Sequence, residues 1–388
     1  MSTRKGILPL IVIAQFCCTS LWFAGNAVMR DLLLNFHLGA ETLAHLTSAV
    51  QFGFILGTLL FAFFNISDRF SPSRVFLSCA LLGGVFNLGI LWSNNTLISL
   101  IAFRFLTGFC LAGIYPVGMK IASDYFDKGL GKSLGFLVGA LVLGTAFPHF
   151  LKAFSFGLSW AYVIIFTTGL AIVGGLMIGI FVPDGPNRQA AAKVDFNIVF
   201  NVFKKPDFKA AAIGYFGHMW ELYAFLAFIP VILSAYKTIH LSASFGISLW
   251  SFIIIGIGAL GCVTAGYLSV NNGAKRIASK ALGSSGLCCI FSPLAFFQPS
   301  PVVFLLFLIF WGFTVVADSP LFSSLIAQNA PSTNKGTALT IVNCIGFAIT
   351  IFSIQLLNFL HKAFSPSYIF IFLAIGPVLG LLALWKRK

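Results

Sequence analysis

Apolar residues run along this chain in twelve stretches of about 20 residues each, the length that a helix needs to cross the hydrocarbon core of a bilayer. The stretches cover residues 7–29, 43–64, 75–92, 97–119, 133–151, 158–182, 210–235, 245–268, 277–297, 301–326, 337–360 and 367–385. The first is too long for a signal peptide and lacks a cleavage site. The pattern therefore predicts an all-α membrane protein with twelve transmembrane helices, which we number as spans 1 to 12.

The composition agrees with lipid as the main solvent. Hydrophobic residues make up 59% of the 388 residues and charged residues 9%, whereas a soluble domain carries about a quarter charged residues. Eight cysteines all fall inside the spans and lack metal-ligand spacing. We expect them to pack as small apolar side chains, and we expect no disulfide, metal site or cofactor.

The basic residues predict how the chain is oriented. With the N-terminus inside, 19 of the 24 Lys and Arg residues fall in cytoplasmic segments, and only Arg30, Lys152, Lys237 and Lys362 fall outside. Such asymmetry is typical of inner loops, so both termini are expected to be cytoplasmic. The net charge of +14 then reflects topology and attraction to anionic lipid, and we expect no nucleic-acid partner.

An internal repeat divides the spans into two groups of six. At a shift of 204 residues, the span 4 residues Gly108, Phe109 and Pro116 recur in span 10 as Gly312, Phe313 and Pro320. The loops "SDRFSPSR" (67–74) and "SVNNGAKR" (269–276) also correspond. The repeat predicts an N-terminal bundle over residues 1–182, a polar linker over 183–209 and a C-terminal bundle over 210–388.

The loop between spans 2 and 3 resembles the signature of the major facilitator superfamily. Asp68, Arg69 and Arg74 match it, although Phe64 and Ser71 replace its two glycines. The corresponding loop of the second half keeps the two glycines that the first loop lacks, as Gly266 and Gly273, and its basic residues are Lys275 and Arg276. Span 4 adds the family's Arg104, Gly108 and Ala112 pattern.

Three segments are similar to a bacterial subgroup of cyanate-like or nitrate-like transporters: "YPVGMK", "LVGALVLGTAFPH" and "GHMWELYAF". Spans 2 and 8, however, lack the arginines with which nitrate carriers bind the anion.

This resemblance covers essentially the whole chain and implies two pseudo-symmetric six-helix bundles that work by alternating access. It implies that spans 1, 4, 7 and 10 line a central cavity. It also implies that Asp68, Arg69 and Arg74 form a conformational gate, making charge contacts between helix ends that stabilise an outward-open state. We expect a monomer in a bacterial inner membrane.

Span 7 contains Glu221, one of only two glutamates in the chain. An ionisable group at membrane depth is costly and usually functional, so we interpret Glu221 as a proton-binding carboxylate. At 100° per residue it shares a stripe with Gly214, Gly217, His218 and Phe225, flanked by Tyr215 and Tyr223. His218 is expected to share its proton or to bind the solute. The alternative is a carboxylate locked in place to fix helix packing.

Other polar residues at membrane depth are candidates for the same site. Arg104 has three open roles: binding a substrate carboxylate, pairing with Glu221 or holding its helix in place. Asp318, near the cytoplasmic end of span 10, would line the inner cavity or make a helix-end contact. By position, further candidates are Asn26, Gln51, Tyr115 and Trp220, each of which would otherwise be an interhelical hydrogen bond.

The function we predict is proton-coupled uptake of a small polar or anionic organic solute, with solute, protons and lipid as the partners. An exporter and an uncoupled facilitator are alternatives, and a transporter-like receptor is a more distant one. We do not expect an enzyme, because no nucleophile, base and orienting group form a recognisable arrangement and no nucleotide-binding motif is present.

Overall fold

The computed structural model describes residues 4–126, 130–188, 202–330 and 335–385, and within them every regular element is a helix. The predicted all-α class is confirmed. The chain divides into two compact units, Met1–Val194 and Asp195–Lys388, and the division falls inside the predicted linker 183–209. Residues 189–201 of that linker lie outside the described residues, as do the two ends, 1–3 and 386–388. The predicted domain limits stay a prediction.

The described part of the N-terminal unit consists of ten α-helices, with a short 3-10 turn (Gly89–Leu91) after the sixth. They are α1 (Arg4–Thr19), α2 (Ala24–Ala27), α3 (Met29–Asn35), α4 (Thr42–Phe63), α5 (Ile66–Arg69), α6 (Pro72–Leu88), α7 (Leu97–Leu111), α8 (Tyr115–Tyr125), α9 (Leu130–Ala153) and α10 (Ala161–Phe181).

The described part of the C-terminal unit contains eight α-helices, with a short 3-10 turn (Phe370–Ala374) between the last two. They are α11 (Pro206–Ile239), α12 (Ile247–Asn272), α13 (Ala274–Phe297), α14 (Pro301–Ala317), α15 (Ser319–Asn329), α16 (Lys335–Ala363), α17 (Pro366–Ile369) and α18 (Ile375–Trp385). Among the described residues, eleven helical stretches are long and apolar enough to cross a membrane, and Gly6–Thr19 is a shorter apolar helix. Each of the twelve predicted spans therefore has a helical counterpart.

Span 1 is not the continuous helix that its apolar pattern predicts. Its first helix ends at Thr19, the chain turns through residues 20–23, and α2 begins at Ala24. The hydroxyl of Thr19 donates to the carbonyl of Gln15 at 2.8 Å, and that of Ser20 donates to the carbonyl of Cys17 at 2.7 Å. Hydroxyls bonded back to carbonyls in this way weaken and bend helices, which explains why the prediction was wrong at this point.

Spans 4 and 10 are also broken, in both cases just before a proline. α7 ends at Leu111 and α8 begins at Tyr115, next to Pro116, whereas α14 ends at Ala317 and α15 begins beside Pro320. Proline has no N–H to donate and clashes with the carbonyl four residues earlier. In span 10 that carbonyl belongs to Val316, and it accepts the thiol of Cys262 at 3.3 Å.

The two units repeat the same close helix contacts. An added Cβ at Gly108 would collide with the carbonyl of Val50, and one at Gly312 would collide with the carbonyl of Ile254. The residues correspond pairwise at the 204-residue shift seen in the sequence. Small residues that let helix backbones approach closely are a common feature of membrane helix packing. The repeat in the sequence therefore corresponds to a repeat of helix contacts in the structure.

Replacing Gly312 with Ala is expected to lower the melting temperature of the detergent-purified protein. The new methyl group has no room against the Ile254 backbone, and overpacking of this kind costs about 1–3 kcal/mol. Gly169→Ala is the matched control, because Gly169 also lies in a long apolar helix but has open space around it. Equal melting temperatures for the two variants would argue against a tight contact at Gly312.

Candidate functional site

Glu221 lies near the middle of α11 and is fully buried. Its Oε2 accepts a hydrogen bond from Ser285 Oγ at 2.8 Å. Its Oε1 accepts one from the indole Nε1 of Trp311 at 2.6 Å and one from the Cys289 thiol at 3.3 Å. All three donors are neutral, and no salt bridge joins Glu221 to a cation in the described part of the chain.

Helix geometry explains how these donors come together. Ser285 and Cys289 are four residues apart on α13, so they lie on the same face of that helix. Trp311 lies on α14, and its ring stacks on Phe225 with 4.3 Å between centroids. Phe225 is one turn beyond Glu221 on α11, so the stacking holds the indole N–H beside the carboxylate.

A second buried pair lies one turn earlier on α11. His218 Nδ1 is 2.8 Å from Asp318 Oδ1, and the two side chains are 1% and 0% exposed. Asp318 occupies the break between α14 and α15, where its carbonyl accepts the N–H groups of Leu321 and Phe322. Among the described residues, His218 Nε2 and Asp318 Oδ2 have no hydrogen-bond partner.

These contacts involve two predicted site residues. Asp318 was expected to line the inner cavity or to make a helix-end contact, and it lies at the break between α14 and α15, where it pairs with His218. His218 was expected to share the proton of Glu221 or to bind the solute, and both roles stay predictions. Positions 218 and 221 lie on the same face of α11, yet His218 contacts Asp318 at the break in span 10 whereas Glu221 contacts α13 and α14.

The small-residue stripe of α11 packs inside its own unit. A Cβ at Gly217 would collide with the carbonyl of Gly376 on α18, and one at Gly214 would collide with the ring of Phe322 on α15. These two glycines therefore let α18 and α15 approach α11 closely.

The aromatic candidates of α11 have structural contacts. The Tyr215 ring lies 6.0 Å from that of His218, and the Tyr223 ring lies 5.3 Å from that of Phe347. Trp220 is half-buried, and its indole N–H donates to the carbonyl of Phe372 at 3.2 Å. The alternative of an interhelical hydrogen bond therefore describes Trp220 well.

In the N-terminal unit, Arg104 is fully buried in α7. Its Nη1 donates to the carbonyl of Leu21 at 3.1 Å, and its Nη2 donates to the carbonyl of Trp22. Both carbonyls belong to the turn that breaks span 1. No salt bridge joins Arg104 to an acidic residue in the described ranges, and its Nε has no hydrogen-bond partner there.

The other N-terminal candidates differ in how well they are satisfied. Asn26 donates to the Thr47 hydroxyl at 2.8 Å. Gln51 is fully buried, yet neither its amide oxygen nor its amide nitrogen has a hydrogen-bond partner among the described residues. Tyr115 is half-buried at the start of α8. Gln51 is thus the candidate with unused hydrogen-bonding capacity.

The loop before α6 carries an ion-pair cluster. Asp68 lies 2.8 Å from Lys120 Nζ, which is also 3.5 Å from Asp124. Arg69 and Arg74 are exposed. The sequence interpretation missed Lys120 because it considered only the loop, although Lys120 and Asp124 show the i, i+4 spacing of a helical ion pair.

Comparison with known proteins identifies the family. A profile of the Major Facilitator Superfamily matches residues 11–354, so the chain belongs to this superfamily. Its members are transporters, and the expectation that the protein is not an enzyme is confirmed. The fold and the multi-pass membrane character are those of the family, whereas the cyanate-like or nitrate-like subgroup stays a prediction.

Individual proteins either match a smaller part of the chain than the family profile does or match it at low sequence identity. The niacin transporter NiaP of Acinetobacter baylyi is 32% identical over 160 residues, a match that covers 36% of this chain and 36% of the relative. A proton:xylose symporter bound to 6-bromo-6-deoxy-D-glucose has a TM-score of 0.75 and 15% identity, with 99% of this chain and 96% of the other covered. A bacterial homologue of the human lysosomal transporter Spinster, inward-facing and unoccupied, has a TM-score of 0.71 and 15% identity, with 100% and 98% covered. At this identity the two structures show the fold alone.

Proposed function

We propose that this superfamily member is a secondary transporter that takes up a small polar or anionic organic solute by alternating access, coupled to protons. The observation that carries the proposal is Glu221, a fully buried carboxylate on α11 that is held by three neutral donors. Ionisable groups at such a depth mark proton and solute pathways in membrane proteins. The protein then functions in a bacterial inner membrane, with both termini cytoplasmic, as a monomer.

The donors around Glu221 provide a way to couple its proton to a conformational change. They come from α13 and α14, whereas the carboxylate is on α11. Hydrogen bonds to the charged form favour ionisation, and desolvation favours the neutral form. A shift of α14 that removes the Trp311 bond would therefore lead Glu221 to take up a proton, and the return of the helix would release it.

The identity of the solute is proposed from the chemistry of one relative. Because the matched relative is a niacin transporter, niacin and other small organic acids are the first compounds to test. Because that match covers only part of each protein, niacin is one candidate among several.

We also propose that Asp68 belongs to a conformational gate. It would act through Lys120, with which it forms an ion pair, and would bias the equilibrium between two arrangements without touching solute. Arg69 and Arg74, which are exposed, would contribute in an arrangement other than the present one.

An uncoupled facilitator is the second candidate, and the same hydrogen bonds favour it. Three donors satisfy the carboxylate oxygens, as expected of a buried packing element. In that case Glu221 would keep one protonation state throughout transport.

Binding and uptake measurements test the proposed function. The purified protein is heated with a metabolite library that includes niacin at pH 5.5 and pH 7.5, and compounds that raise its melting temperature are then offered to proteoliposomes. We expect an inside-alkaline gradient to drive accumulation, with protons entering alongside the solute. Uptake that stops at equal concentrations inside and outside would favour the facilitator, and a bound compound that never enters would favour a receptor.

A further inference from the structure

The guanidinium of Arg104 is a buried cation without an anionic partner among the described residues. Two of its five N–H groups bond to the carbonyls of Leu21 and Trp22. Carbonyls are neutral, so these bonds satisfy hydrogens but leave the charge uncompensated. A buried charge normally needs an opposite charge or a polar, solvated surrounding, and no carboxylate of the described residues forms a salt bridge with Arg104.

The unbonded edge of this guanidinium is left open by a glycine. A Cβ built on Gly25 would lie 3.4 Å from Arg104 Nε, the nitrogen that has no hydrogen-bond partner in the described ranges. A side chain at position 25 would be in van der Waals contact with Nε, and glycine leaves the position next to this nitrogen without a side chain.

Gln51 lies at the same level of the bundle. The helix α4 that carries it packs backbone to backbone on α7, because Gly108, one turn after Arg104, meets the carbonyl of Val50. Gln51 also lies between two α4 residues that contact the same part of span 1 as Arg104 does: Thr47 binds Asn26, and the Phe54 ring lies 5.0 Å from that of Trp22. Both amide atoms of Gln51 are buried and unpartnered among the described residues.

We infer that Arg104, Gln51 and the space beside Gly25 form a subsite for the carboxylate of the transported solute. The inference rests on the proposed transport function and makes its substrate class narrower: an organic acid rather than a neutral polar solute. Three guanidinium N–H groups and the amide N–H₂ of Gln51 remain as donors, and a carboxylate has about four acceptor sites to receive them. The solute would supply the missing negative charge.

This subsite predicts discrimination between acids and their amides. Hydrogen bonds to charged groups contribute about 1.5–3 kcal/mol, so an acid should bind about tenfold to a hundredfold more tightly than its carboxamide. The probes are small monocarboxylates, acetate, benzoate and nicotinate, each paired with its carboxamide. Binding is measured by the melting temperature and by radioligand displacement, at one pH and without any gradient.

Gln51→Met separates binding from stability. It removes a buried amide without hydrogen bonds, so the melting temperature of the unliganded protein should rise, because an unsatisfied polar group is destabilising. The temperature increase caused by a bound acid should fall. Gln15→Met is the matched control: Gln15 is equally buried and unpartnered among the described residues, but it lies against Gly118 of α8. That variant should gain stability and keep full acid binding.

Two further variants test the charge and the open space. Arg104→Lys keeps the charge but loses the planar fork, and should reduce the preference for acids over amides. Gly25→Ala should weaken acid binding by covering Nε. The inference is overturned if no carboxylate binds the wild type, if amides bind as well as acids, or if Gln51→Met and Gln15→Met bind acids equally. Because no proton gradient is used, loss of coupling at Glu221 cannot produce these outcomes.

Discussion

Glu221→Gln is expected to abolish solute accumulation driven by a pH gradient while leaving solute exchange intact. Glutamine has nearly the same size and keeps one oxygen that can accept from Trp311, so the contacts of α11 with α14 change little. It cannot bind and release a proton. Exchange of labelled for unlabelled solute needs no proton release at this position, whereas net accumulation does.

The measurement compares two assays on the same proteoliposomes. Counterflow is followed with labelled solute outside and unlabelled solute inside, and accumulation is followed after an inside-alkaline pH jump. Wild type should show both, and Glu221→Gln should show counterflow alone. Glu41→Gln is the control, since Glu41 is the only other glutamate in the chain and precedes the first turn of α4.

The converse result would have an equally definite meaning. If Glu221→Gln still accumulates solute at the wild-type level, the three neutral donors hold a structural carboxylate. Proton coupling would then have to come from another group, and the His218–Asp318 pair is the next buried ionisable site on α11 and α14–α15. If both assays fail while the protein melts normally, Glu221 contributes to solute binding or to the conformational cycle itself.

The fold was largely predictable from the sequence, because its main determinants are local. Twelve apolar stretches gave twelve helices or helix pairs, and the 204-residue repeat at Gly108 and Gly312 corresponds to equivalent helix contacts. The breaks were harder to predict. Pro116 and Pro320 indicate breaks in spans 4 and 10, but each lies inside an apolar stretch that by itself predicts a continuous helix. The turn at residues 20–23 has no proline, and Arg104, which is distant in sequence, bonds its carbonyls.

The candidate site was predictable only as single residues. Depth in an apolar run was enough to select Glu221, His218, Arg104 and Asp318. Their partners depend on how helices are rotated against one another, which a single sequence does not specify. Nothing in the sequence distinguishes Trp311 and Ser285 from the other residues of spans 10 and 9. The packing of α13 and α14 against α11 places them beside Glu221. A polar stripe on a helix can likewise face a cavity or a neighbouring helix, and Gly217 made the second possible by admitting α18.

Replacing His218 and replacing Asp318 are expected to destabilise the C-terminal unit by different amounts. Removing His218 leaves a buried carboxylate without its partner, and an uncompensated buried charge costs about 3–5 kcal/mol. Removing Asp318 leaves an imidazole, a polar group whose burial costs less than that of a charge. His218→Gln should therefore lower the melting temperature more than Asp318→Asn.

The melting temperatures of the detergent-purified variants are compared at one pH. Asp207→Asn, at an exposed position in the first turn of α11, controls for a general effect of losing a carboxylate.

The double variant decides whether the two residues act as a pair. His218→Gln combined with Asp318→Asn leaves two neutral side chains that can still bond to each other across the 2.8 Å contact, so it should be more stable than His218→Gln alone. Additive losses would mean that the two residues contribute separately to stability. Partial recovery in the double variant would instead identify the pair as a contact that holds α11 against the break in span 10.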